Sequence, residues 1–366
     1  MSSRNVTSGK INWDKVKYID EKQHIAMHKR VAPRIGDILL AKNGTTGVGA
    51  IVDRDVVFDI YVSLAHIRVL DGILSSYMLY FINSPLAKKQ FNKRLKGMGV
   101  PNLHLKEIRE VLIPFPTSLK EQKQIVTTLD KAFKQIDQAK ANLEKNLNNA
   151  KELFQSKLNE VFSQRGEGWE EKTLKEVSSY FGRGKSKHRP RNDESLFGGE
   201  YPFIQTGDVR NSKKHIKKFS QTYNEKGLAQ SKLWKKNTIC ITIAANIAET
   251  AILDFDACFP DSIIGLVVDK EQSTIEFTYY ALQFLKSKLQ SLGKGSAQDN
   301  LNLKTFETQY FPFPSLKQQY ELVTILDNLY NISWELQTHY QQKLNNLEEL
   351  KKSILQKAFK GELDYA

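Results

Sequence analysis

Apolar residues fall into two regimes that alternate along the chain. Brief, dense runs such as Ile35-Gly-Asp-Ile-Leu-Leu-Ala41 and Thr238-Ile-Cys-Ile-Thr-Ile-Ala244 predict strands. Gly44-Thr-Thr-Gly-Val-Gly49 follows the first run and reads as a tight loop. Residues 75–81 and 278–289 space their apolar positions by three and four and predict short helices. Together these signals predict α+β globules. The second regime is long and helical. In residues 122–162, Ile125, Leu129, Ala132, Ile136, Ala139, Leu143, Leu147, Ala150, Phe154 and Val161 form one stripe. In residues 319–358, Leu322, Leu326, Leu329, Tyr340, Leu344, Leu347 and Ile354 form another. Neither span contains proline or glycine; Pro116 and Pro314 precede them, and Gly166 and Gly361 follow. Each predicts a helix roughly 60 Å long. Seams of that length must be buried, and the economical partner of each is the other, so an antiparallel coiled-coil pair is expected.

The two regimes occur twice, about 200 residues apart, a period too long for a solenoid and suited to a duplicated domain. Asn102-Leu-His-Leu-Lys106 returns as Asn300-Leu-Asn-Leu-Lys304, and Pro114-Phe-Pro116 as Pro312-Phe-Pro314. Ser118-Leu-Lys120, Gln122, Val126-Thr127 and Leu129-Asp130 return as Ser315-Leu-Lys317, Gln319, Val323-Thr324 and Leu326-Asp327. Upstream, Ala50-Ile51, Asp53, Asp55 and Phe58 match Ala251-Ile252, Asp254, Asp256 and Phe259. Aligned this way, Met1 falls opposite about residue 204, so the first copy is expected to lack opening strands that residues 165–203 supply in the second.

Composition narrows the function. The chain has 366 residues and a net charge of +13, which points to a polyanion, most often nucleic acid. Basic residues concentrate between 183 and 236, where Arg183, Lys185, Lys187, Arg189, Lys213 and Lys214 are interleaved with Phe181, Phe197, Tyr201, Phe203 and Phe219. Two cysteines exclude a disulfide scaffold and suit a reducing, cytoplasmic setting. No apolar run is long enough for a membrane span, and the first ten residues carry no apolar signal region.

Searches for catalytic chemistry come back thin. Gly184-Lys185-Ser186 ends like a phosphate-binding loop, but Ser179 stands where the first glycine is required. Asp20-Glu-Lys22, Glu121-Gln-Lys123 and Glu170-Glu-Lys172 match the acidic-x-Lys fragment of many nucleases, yet no spaced upstream acid singles one out. The seven histidines and two cysteines show no metal-site spacing. Cys240 and Cys258 read as buried small hydrophobes.

The doubled order of Ile113-Pro-Phe-Pro-Thr-Ser-Leu-Lys-Glu-Gln-Lys-Gln-Ile125 and Phe311-Pro-Phe-Pro-Ser-Leu-Lys-Gln-Gln-Tyr-Glu-Leu322, each opening a long helix, resembles the DNA-specificity subunit of type I restriction–modification systems. Gly168-Trp-Glu-Glu-Lys-Thr-Leu174, Pro202-Phe-Ile-Gln-Thr-Gly-Asp-Val209, Gly36-Asp-Ile-Leu39 and Lys357-Ala-Phe-Lys-Gly-Glu-Leu363 are similar to that family as well. The resemblance implies two target-recognition domains, residues 1–116 (shortened at its start) and 165–314. It makes residues 117–164 and 315–366 the two spacer helices. Each domain would read half of a bipartite site on double-stranded DNA, with the helices setting the unread spacer. Two modification subunits would bind S-adenosylmethionine and methylate adenine, and restriction subunits would add ATP- and Mg2+-dependent translocation and cleavage. This chain would hold no cofactor and catalyse nothing.

Candidate DNA contacts lie on loops. In the first domain they are Lys42, Asn43, Thr45, Thr46 and Lys96; in the second, Arg183, Lys185, Lys187, Arg189, Lys213, Lys214, Lys294, Ser296 and Gln298. Competing readings are a basic coiled-coil protein that holds nucleic acid without sequence preference, a stand-alone nuclease, and an inactive shortened specificity subunit.

Overall fold

The computed structural model describes residues 1–96, 101–163, 166–188, 190–243, 248–291 and 309–363. The chain folds as two compact units, Met1–Asn146 with His339–Ala366, and Leu147–Thr338. Each unit therefore takes in a globule together with stretches of both long helices, a division different from that by sequence motifs.

In the first unit a short 3-10 turn, Ser3–Asn5, precedes α1, Glu21–Arg30, which is capped by the Asp20 carboxylate accepting from the Gln23 amide at 2.7 Å. Strands β1 (Ile38–Ala41), β2 (Val48–Ile51) and β3 (Leu64–Ile67) form an antiparallel sheet in the order β2-β1-β3. All four residues of β1 are buried because alternate side chains serve two cores. Ile38 and Leu40 face a helical core, while Leu39 and Ala41 pack with Val6, Ile11 and Ile60. Helices α2 (Ser75–Ile82), α3 (Pro85–Arg94) and α4 (Leu105–Arg109) lead to α5, Leu119–Ser163. Ser84 caps α3, its hydroxyl accepting from the Ala87 amide, and Pro85 opens the first turn.

The second unit adds strands that have no counterpart among the described residues of the first. Its elements begin with β4 (Glu170–Thr173), β5 (Ser178–Arg183), β6 (Phe197–Phe203), α6 (Thr206–Asn211), β7 (His215–Ile216) and β8 (Gln221–Tyr223). Then come α7 (Glu225–Ala229), β9 (Leu233–Trp234), β10 (Ile239–Thr242), β11 (Thr250–Leu253), β12 (Ala257–Cys258) and β13 (Ile263–Val268). Helix α8 (Ile275–Ser291), β14 (Tyr310–Phe313) and α9 (Leu316–Ala358) complete it. The main sheet runs β5-β13-β10-β11-β7, and its middle β13-β10-β11 repeats the β3-β1-β2 arrangement of the first unit. A four-stranded sheet, β8-β6-β12-β9, and the pair β14-β4 flank it. Cys240 and Cys258 are buried and unbridged, and burial pushes both thiols up.

The long helices do pack against each other, but their apolar stripes also serve the globules. In the first unit Ile125, Leu129, Phe133 and Ile136 share a core with Tyr77, Phe81, Leu355 and Phe359. The Phe359 ring lies 5.2 Å from Tyr77 and 5.4 Å from Phe81. In the second, Leu158, Val161 and Phe162 pack with Phe277, Phe313 and Leu326. Within each unit the seam is thus shared by the two long helices and the globule, because the helices alone would leave the apolar faces of α2 and α8 uncovered. Contacts within each unit run antiparallel. Lys140 meets Glu348 at 2.7 Å and Asp137 meets Lys351 at 3.4 Å in the first. Ser333 donates to the Ala150 carbonyl and Phe154 meets Tyr330 in the second.

Candidate nucleic-acid interface

Three exposed cations stand close together in sequence where β5 leaves its sheet. Pleating alternates the side chains: Arg183, Lys185 and Lys187 are exposed, while Gly184 and Ser186 are buried. Gly184 is required by close approach, since a Cβ there would sit 2.3 Å from the Phe259 carbonyl oxygen. Side chains then pin the backbone of this arm. The Gln230 side-chain Oε1 accepts from the amides of Lys187 and His188 at 2.6 and 3.0 Å, and Ser231 donates to the Lys185 main-chain carbonyl. His188 contacts Asp193 at 2.7 Å. Hydrogen bonds from Ser195, joined by His188, hold the Asp193 carboxyl down at about 2. Among the described residues, no carboxylate pairs with Arg183, Lys185 or Lys187. The arm therefore presents three cations from a fixed backbone, an arrangement suited to phosphates.

Beside this arm lies a cleft of about 730 Å³, lined by Arg191, Asn192, Gln205, Thr206, Gln221 and Ser262 among others. Arg191 is held by Asp261 through bonds of 2.8 and 2.9 Å, and the Gln205 Nε2 donates to the Gln221 Oε1. Amide side chains with fixed donors and acceptors suit base edges in the major groove. Asn192, Gln205 and Gln221 escape a reading of the sequence because three separate segments supply them. Gln205 does lie inside the Pro202–Val209 motif, which is the one signal that points to it.

Lys213 and Lys214 are adjacent in sequence but differ in role. Lys213 is exposed, donates to the Asn331 side chain at 3.0 Å and lies over Trp334. The Lys214 ammonium pairs with Asp327 and lies 4.9 Å from the Tyr280 ring centroid, with its side chain only 12% exposed. Lys214 is thus a bracket between the globule and α9 rather than a presented cation.

In the first unit the candidates converge. Lys42 and Asn43 stand at the end of β1, with the Lys42 carbonyl accepting from the Leu103 amide at 2.8 Å. Asn43 and Lys96 both form bridges to Asn102. Gly44 and Gly47 take positive φ, and Gly47 lets the loop turn over Phe91. Thr45 is exposed and Thr46 half-buried at the loop tip. Lys96 pairs with Glu107 at 3.0 Å and holds that carboxyl below its usual range, so its positive charge is partly neutralised. Arg189, Lys294, Ser296 and Gln298 lie outside the described residues. Among the described residues, no helix is long and apolar enough to cross a membrane.

Residues 6–149 and 166–346 match the family model described as the type I restriction modification DNA specificity domain. The type I restriction enzyme StySPI specificity subunit of Salmonella potsdam is 22% identical over 387 residues, covering 99% of this chain and 81% of its own. One solved chain, from work on complex assembly and conformational transition of the type I R-M system, aligns with a TM-score of 0.75 at 19% identity. That match covers 91% of this chain and 83% of the other. The HsdS subunit from Thermoanaerobacter tengcongensis aligns with a TM-score of 0.57 at 20% identity, covering 99% of this chain and 90% of that one. At these identities the structural likeness is one of fold.

Proposed function

The chain belongs to the type I restriction–modification DNA specificity family, and from that premise we propose that each of its two units reads one half of a bipartite site on double-stranded DNA. The chain selects the site, and partner subunits perform the chemistry. In this reading residues 1–116 and 165–314 are the recognition domains. Residues 117–164 and 315–366 form the helices that set the unread spacer and carry the partners. Two modification subunits supply S-adenosylmethionine-dependent adenine methylation, and restriction subunits supply ATP- and Mg2+-dependent translocation and cleavage. The setting is cytoplasmic.

The observation that carries the proposal is one scaffold with two unlike surfaces. The β3-β1-β2 and β13-β10-β11 triplets match, while the arm of Arg183, Lys185 and Lys187 continues β5, a strand with no counterpart among the described strands of the first unit. Duplication of the frame with divergence of its polar face is what two independent readers require. A methyltransferase must also flip its target base, so a partner that fixes which adenine is presented is needed. A protein that held DNA without preference would need cations alone; the amides of Asn192, Gln205 and Gln221 beside them favour readout of bases.

The test is an exchange of residues 165–314 with those of another specificity subunit. One half-site should change and the other persist. Simultaneous change of both half-sites would contradict independent reading.

A further inference from the structure

We propose that His24, His28 and Asp59 in the first unit form a binding site for one divalent transition-metal ion, with zinc the best match to their chemistry. His24 and His28 stand one turn apart on α1, and the Asp59 carboxylate lies opposite both. The His24 Nδ1 atom is 2.7 Å from Asp59 Oδ2, and His28 Nδ1 is 3.4 Å from Asp59 Oδ1. All three ligand atoms lie within 4.8 Å of one another. Neighbouring ligands on a tetrahedral zinc ion are about 3.3 Å apart, so modest side-chain adjustment admits the ion. Two imidazoles and a carboxylate match zinc's ligand preference and leave a fourth position for water.

Burial supplies an independent argument. Asp59 is only 8% exposed, and both His28 Nδ1 and Asp59 Oδ1 are buried without a hydrogen-bond partner. One ion coordinated by both atoms would satisfy them together. Asp59 is already fixed: its carbonyl accepts from the Met1 amino group at 2.7 Å, and Ile60 beside it is in the core. The imidazoles are 37% and 34% exposed, which leaves an entry path.

The surroundings explain why an ion is useful here. No residue of α1 is buried, so apolar packing holds this helix weakly. Metal coordination would clamp it to the segment between β2 and β3. At the repeat offset given by Asp53 and Asp254, the second unit carries Glu225, Ala229 and Pro260 at these positions, so the site belongs to the first unit alone. Residues 21–30 show no apolar stripe that announces a helix, which is why the histidine spacing is silent in the sequence.

The test uses the untagged full chain stripped with a chelator and titrated with Zn2+ alone, and separately with Co2+ followed by visible absorption. One equivalent should bind, and the melting temperature should rise with added zinc. Changing partners of metal ligands alone costs about 10–100-fold in affinity, so His24→Gln and His28→Gln should each weaken binding at least about 100-fold. Both sit on a surface helix, and their circular dichroism should match the parent chain. Absence of stoichiometric binding by the parent chain would overturn the proposal. So would binding that survives unchanged in both variants.

Discussion

Gln122 and Gln319 each clasp their own unit in the same way. The Gln122 Oε1 accepts from the Leu74 amide, and its Nε2 donates to the main-chain carbonyls of Gly72 and Pro116, all at 2.9 Å. Gln319 accepts from the Thr274 amide at 2.8 Å and donates to the carbonyls of Gln272 and Pro314. Both side chains are fully buried. Each ties the start of a long helix to the turn before the helix packed upon it. A second duplicated pair supports the clasp: Tyr80 donates to Asp130, and Tyr280 to Asp327.

Replacing either glutamine with alanine removes the side chain and strands backbone groups in a dry site. Gln122→Ala should destabilise the first unit, and Gln319→Ala the second, by about 2–4 kcal/mol each. Hydrogen exchange read separately over residues 72–122 and 272–319 checks this. Equal loosening of both units by one substitution would argue against separate clasps.

The arm and the cleft of the second unit should fail differently. Lys185→Ala with Lys187→Ala should weaken binding to every duplex alike and lower the salt slope by about one for each phosphate no longer neutralised. Asn192→Ala or Gln221→Ala should instead relax preference at one position of one half-site, by about 1–3 kcal/mol. Competition binding at several salt concentrations, with the partner modification subunits present, separates the two. Lys214→Ala should act on stability first, because its ammonium is engaged with Asp327.

How much of this was legible in the sequence depends on distance along the chain. The long helices were readable because no proline or glycine interrupts their stripes. Strand β1 was readable too, although it starts at Ile38 rather than Ile35, since Gly36 has a φ of +87° and the Asp37 carboxylate caps a turn by accepting from the Arg34 amide. Gln122 and Gln319 stood out as repeated letters, but their role depends on main chain about fifty residues away. Lys213 and Lys214 look alike in sequence; their partners on the distant α9, Asn331 for one and Asp327 for the other, separate them. The cleft was hidden for the same reason, as Asn192, Gln205 and Gln221 meet only on folding.

Acid should weaken the first unit through Asp37. Burial alone would raise this carboxyl, but hydrogen bonds from Arg68, His66 and the Arg34 amide outweigh it and bring the value down to about 2. The unfolded value is about 3.9. The folded value is therefore depressed, so the stabilisation is present above about pH 4 and is lost as pH falls toward 2. Its size is on the order of 2 kcal/mol. Pulse proteolysis of residues 1–146 across this range should show the loss in the parent chain and a flatter profile in Asp37→Asn. An identical acid profile in the variant would remove Asp37 as the cause.

The helices should act as a ruler. Four residues, about one turn, inserted after Asn146 together with four after Thr338 keep the pairing inside each unit. The unread spacer should change length while both half-sites persist. Methylation at an unchanged spacer would refute the ruler.

The central claim is most directly tested by a genome-wide map of methylated adenine. Cells making this chain with its modification subunit are compared with cells lacking the chain. The account predicts that deletion removes one asymmetric, bipartite methylation motif. An unchanged map, with the modification subunit confirmed active beside another specificity chain, would contradict it.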